Sequence, residues 1–110
     1  MYLNPSDTVL VNARRVQAAS KAHPARCVIA NKEVSVWRAL ALPEEDELAG
    51  TINQGEVQLI HKRLFIACSD GMLELFEVQP QGKKTMDAKA FAAGIQGIKQ
   101  SGHTWEVLNA

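Results

Sequence analysis

The clearest repeat of hydrophobic and polar positions lies between residues 55 and 78. Val57 and Leu59 alternate with Glu56 and Gln58, the two-residue period of a half-buried strand. Residues 64–68 are almost unbroken apolar, which predicts a central strand. Residues 72–78 alternate again, with Leu73 and Leu75 on one side and Met72, Glu74, Phe76 and Val78 on the other. His61-Lys62-Arg63 reads as the first turn of this series. Ser69-Asp70-Gly71 reads as the second, a hairpin in which glycine can take a positive φ. Pro80 and Gly82 close the run. Upstream, residues 26–30 form a short β-type run, Asn31-Lys32 a turn, and residues 33–40 a β-branched and aromatic strand.

Helical spacing is confined to two places. Val9, Ala13 and Val16 recur on one face after Pro5, with Ser6 and Asp7 as candidate caps, while Arg14, Gln17 and Lys21 fall on another side. Pro24 ends that segment, since its ring and missing N–H exclude a helix interior. Asp87 is placed to cap a second short helix over 88–93, with Phe91 buried and Gly94 as the stop. The expectation is a mainly β fold with short flanking helices: a small open β-barrel, oligonucleotide-binding-fold-like. An antiparallel sheet packed on one helix is the competing arrangement, and spacing does not set the strand order.

A length of 110 residues fits one domain with a modest core, taken as 1–110. No apolar stretch approaches the twenty or so residues of a membrane span, and there is no secretory leader pattern. Two cysteines, Cys27 and Cys68, are not a disulfide framework, so a reducing, cytoplasmic setting and no membrane partner are expected. Their apolar surroundings, and the scattered positions of His23, His61 and His103, predict no metal site and no nucleophilic centre.

The twelve basic and twelve acidic residues cancel, but unevenly. Residues 1–42 are mostly basic, with Arg14, Arg15, Lys21, Arg26, Lys32 and Arg38. Residues 43–58 carry Glu44, Glu45, Asp46, Glu47 and Glu56 with no cation. Local potential, not net charge, governs encounter with polyanions, so a shared basic face remains open to test. The candidate phosphate contacts are Lys83 and Lys84 beside Gly82, with Arg14, Lys21 and Arg26, and then Lys62 and Arg63. An ordinary solvated surface accounts for the same residues. Phe65, Phe76 and Phe91 fit core positions and Trp37 is expected to be buried on one sheet face, so backbone charge would dominate any RNA binding.

Residues 55–94 resemble the C-terminal domain of methionyl-tRNA formyltransferases. The resemblance rests on Asp70, Gly71, Leu73, Leu75, Gln79, Pro80, Gly82, Lys83, Lys84, Met86, Phe91 and Gly94, in that order. The first half matches more loosely, around the arginine-bearing helix and Pro24-Ala25. The resemblance implies a barrel that helps hold initiator tRNA beside a catalytic formyltransferase domain or subunit. It also implies that the catalytic set and the 10-formyltetrahydrofolate site belong to an N-terminal domain for which this sequence has no counterpart. This chain is thus expected to be non-catalytic and to bind no cofactor itself. Two alternatives stand beside the tRNA reading. One is a structural or oligomerisation domain of a formyltransferase acting on a small amine or sugar nucleotide, which a neutral charge suits. The other is a free-standing protein-interaction module using the acidic loop at 44–47.

Overall fold

The computed structural model describes residues 1–100 and 102–109. Its elements are α1 (Val9–Ala18), β1 (Arg26–Ile29), β2 (Lys32–Ala41), β3 (Val57–Ile60), β4 (Arg63–Ala67), β5 (Met72–Pro80), β6 (Met86–Asp87), α2 (Ala88–Ala93) and β7 (Trp105–Glu106). The strands pair antiparallel in the order β3-β4-β5-β2-β1-β7, with β6 added to β5. The two ends of that order nearly meet. Glu56 bridges Thr104, the Val57 N–H donates to the His103 carbonyl at 3.1 Å, and the Trp105 N–H donates to the Gly55 carbonyl at 2.9 Å. The expected small β-barrel is therefore what the chain forms.

Alternation builds the interior. Val34, Val36, Ile29, Cys27, Leu64, Ile66, Leu73, Leu75 and Val78 point inward, and α1 and α2 close over them with Ala13, Val16, Phe91 and Ala92. Trp105 is the largest fully buried side chain, and its indole N–H donates to the Ala67 carbonyl at 2.8 Å. β4 is buried on its outer face as well. Leu48 and Ile52, from the connection between β2 and β3, cover Phe65, Ala67 and Met72. That cover explains the unbroken apolar run of residues 64–68.

Several boundaries differ from the sequence reading. Thr8, not Ser6 or Asp7, caps α1: its hydroxyl accepts from the Val11 N–H at 3.2 Å, while Asp7 pairs with Arg15 at 2.6 Å. The helix ends at Ala18, well before Pro24, because Ala19 is already extended. Lys21 thus lies in the turn closed by reciprocal Ser20–His23 backbone bonds and not on the helix. The first hairpin turns at Ala30-Asn31 and the second at His61-Lys62, all four residues with positive φ, the pattern of a two-residue turn matched to strand twist. Lys32 and Arg63 consequently open strands. Gly71 does not take a positive φ. Phe76 is half-buried, not core, because it falls on the face opposite inward Leu73 and Leu75; the β2–β5 slip between Val36 and Ala39 instead turns Val78 inward.

Candidate nucleic-acid interface

The row Arg26–Ser35–Gln79 runs straight across three strands, Arg26 opposite Ser35 and Ser35 opposite Gln79. On β2 these outward positions alternate with inward Val34 and Val36, so Glu33, Ser35 and Trp37 face away from the core. An open groove of about 560 Å³ lies over this outer face. Lys21, Pro24 and Arg26 form one wall, Trp37, Ser35 and Gln79 line the floor, and Gln81, Gly82 and Thr85 form the other wall. The carboxylates of Glu33 and Glu77 line the groove as well. Trp37 is half-buried there, not enclosed on one sheet face as its neighbours suggested.

Gln79 organises this surface. Its Oε1 accepts the Trp37 indole N–H at 3.0 Å, and its Nε2 donates to the Lys83 carbonyl at 2.9 Å. The Lys83 N–H donates in turn to the Pro80 carbonyl at 3.0 Å, closing a tight turn over residues 80–83. Gly82 sits at the third position of that turn with φ +77°, a conformation that L side chains rarely adopt. The segment Gln79, Pro80, Gly82, Lys83, Lys84 is therefore a braced turn that carries two exposed lysines just past groove-lining Gly82.

The predicted cations do not all converge. Lys21 and Arg26 line the groove, whereas Lys83 and Lys84 are exposed on the turn that follows groove-lining Gly82 and do not themselves line it. Among the described residues no carboxylate lies within ion-pair reach of Lys21, Lys83 or Lys84. Arg26 is only loosely paired, 3.9 Å from Glu33. Arg38 is drawn to Glu77 at 3.1 Å and lies 4.8 Å above the Phe76 ring. Arg14 is exposed on α1 and does not line the groove. Lys62 lines a different depression, with Lys89 and Lys99. Arg63 is held by Glu74 at 2.9 Å and Asp46 at 3.2 Å, over the Phe65 ring. Its hydrogen bond to Glu74 pushes the guanidinium pKa further up. The Leu48 N–H first, and Arg63 second, hold the Asp46 carboxyl below its usual range.

The remaining motif residues are structural. Asp70 reaches across from the β4–β5 turn and accepts the Val9 N–H at 2.8 Å, capping α1 from a distant part of the chain. Gly71 closes that turn, its carbonyl accepting the Cys68 N–H at 2.7 Å. Met86 pairs with Val78, Phe91 fills the core beneath α2, and the Gly94 N–H returns to the last carbonyls of that helix. Burial pushes the Cys27 thiol up and raises that of Cys68 to about 11. Both thiols are thus poor nucleophiles near neutral pH. Sequence reasoning missed Trp37, Gln81 and Thr85 as groove residues. For Trp37 the signal was present, since Val34 and Val36 facing inward puts residue 37 outside.

Fold and groove together define a small antiparallel barrel with a concave outer face that carries both cations and carboxylates. The chain belongs to the formyl transferase C-terminal domain family, whose model matches residues 6–96. Among similar curated proteins, the methionyl-tRNA formyltransferase of Bordetella avium is 37% identical over 87 residues, 76% of this chain and 27% of that protein. That of Renibacterium salmoninarum is 31% identical over 86 residues, 78% of this chain and 27% of that protein. That of Corynebacterium jeikeium is 37% identical over 59 residues, 54% of this chain and 18% of that protein. The chain thus spans about a quarter of the length of these relatives or less.

Proposed function

We propose that this chain is a non-catalytic accessory domain that helps a methionyl-tRNA formyltransferase hold initiator tRNA in the cytoplasm. The observation that carries this reading is the groove lined by Lys21 and Arg26, with exposed Lys83 and Lys84 on the turn just past its Gly82, in a chain of this family. Extended cations in and beside a concave face can each neutralise a phosphate and release its counterion. Such contacts fix the position of an RNA helix without reading its bases. Formyl transfer and 10-formyltetrahydrofolate belong, on this reading, to a catalytic formyltransferase domain or subunit beside it.

The test is a fluorescence-anisotropy titration with labelled initiator tRNA at two salt concentrations. With four phosphate contacts, affinity should fall on the order of 50- to 150-fold between about 50 and 200 mM salt. Binding that ignores salt, or no binding at the lower concentration, would contradict the proposal. It would favour a structural domain of a formyltransferase acting on a small amine or sugar nucleotide.

A further inference from the structure

The groove has a floor as well as a rim, and phosphate binding uses only the rim. Trp37 is the aromatic side chain among the residues that line it. Its N–H is committed to Gln79 Oε1 at 3.0 Å, so the indole offers the groove ring surface and no free donor. Gln79 is held in turn by the Lys83 carbonyl, which fixes the ring before any ligand arrives. A ring already ordered avoids the entropy loss that a mobile aromatic suffers on binding. Beside it, Ser35, Gln81 and Thr85 supply hydroxyl and amide groups at hydrogen-bonding height for the edge of a heterocycle.

The groove volume of about 560 Å³ falls within the roughly 300–1,000 Å³ range of small-molecule clefts. The groove's two carboxylates each have an arginine beside them, Glu33 3.9 Å from Arg26 and Glu77 3.1 Å from Arg38. Flat ring, polar edge and the cations Lys21 and Arg26 are together the chemistry of a nucleotide. In a duplex both faces of a base are covered by its neighbours, so only an unstacked nucleotide can lie on an indole. We infer that the groove takes one unpaired nucleotide of an RNA strand, its base stacked on Trp37 and its flanking phosphates on Lys21 and the Lys83–Lys84 turn. This inference rests on the RNA reading above and adds a stacking subsite to it.

The two tryptophans make the test direct, because Trp105 is only 1% exposed and lies shielded in the core. Tryptophan emission is followed during titration with hexaadenylate, with inorganic tripolyphosphate and with an RNA duplex. Fluorescein-labelled hexaadenylate reports binding independently by anisotropy. Hexaadenylate should quench the wild type and leave the emission of a Trp37→Phe variant unchanged, while tripolyphosphate quenches neither. Trp37→Ala should weaken hexaadenylate by about 5- to 150-fold, the range of single base–aromatic stacks, and weaken the duplex by much less. The subsite is overturned if hexaadenylate binds without quenching, if tripolyphosphate quenches equally, or if Trp37→Ala binds hexaadenylate as the wild type does. Each of those outcomes leaves phosphate-mediated tRNA holding intact. Failure of both hexaadenylate and initiator tRNA to bind overturns the two together. The wild-type titrations decide the matter even if Trp37→Ala does not fold.

Discussion

Asp70 shows how much one exposed side chain can settle. It sits in a hairpin turn, where a carboxylate would ordinarily be read as surface charge, yet its Oδ1 takes the Val9 N–H at 2.8 Å. The first turn of any helix leaves N–H groups without partners, and Thr8 satisfies only one of them here. The adjacent Ser69 N–H donates to the Asp7 carbonyl at 3.0 Å, so the β4–β5 turn and the start of α1 are tied twice. Asp70→Ala should cost about 1 kcal/mol, as lost helix caps do, measured by urea denaturation with an unchanged m-value. A result within experimental error of wild type would mean that water replaces the cap. Asn12 is the buried counterpart. Its amide donates to the carbonyls of Asn4 and Thr8 and its Oδ1 accepts from the Asn4 N–H, so a fully enclosed polar group is satisfied. Neither role was legible beforehand. Partners 61 residues apart leave no mark on periodicity, and Asn12 occupies a helix position that reads as indifferent.

The elements themselves were far more legible. Strand alternation, the second helix with its Asp87 cap and the apolar run of β4 all follow from local sequence. What failed were places where tertiary structure overrode local preference. Ala30, His61 and Lys62 adopt left-handed conformations that favour other residue types, so the first hairpin turn falls one residue earlier than its sequence suggests and the second is one residue shorter. The slip between β2 and β5 brings Val78 to the inward face of Leu73 and Leu75, which no two-residue period anticipates. The acidic connection between β2 and β3 reads as solvated charge, but it is anchored from both ends. Leu48 and Ile52 pack on β4, and Asp46 accepts the Leu48 N–H at 2.9 Å while pairing with Arg63. Those bonds lower the folded pKa of Asp46 below its unfolded value, led by the backbone hydrogen bond. A depressed carboxylate contributes stability that is complete above the unfolded pKa, near 3.9, and is lost as pH falls through the folded value. Wild type should therefore lose stability between about pH 4 and 2 more steeply than Asp46→Asn, as followed by thermal melts across that range. Parallel acid profiles for the two proteins would exclude this anchor.

At the scale of the whole molecule the barrel separates its charges in space after the sequence has cancelled them in number. Cations with tight partners, such as Arg15, Arg38 and Arg63, serve structure, while Lys21, Lys83 and Lys84 are left at one groove and Lys62, Lys89 and Lys99 at another depression. A linear reading could name the basic residues but not sort them, because pairing depends on strand register. It ranked Lys62 and Arg63 together, for example, though one lies in a turn and the other spans Glu74 and Asp46. On the function proposed above, the groove is the place to look for RNA. Position, and not total charge, is then what should matter. The most direct measurement compares two charge-reversed proteins of equal net charge against initiator tRNA at about 100 mM salt, where the Debye length is about 10 Å. Lys83→Glu/Lys84→Glu should bind at least tenfold more weakly than wild type, while Lys62→Glu/Lys99→Glu should stay within about threefold, since its charges line a different depression. Equal losses in the two proteins, or a larger loss in the second, would contradict a tRNA-holding groove between Lys21 and Lys84.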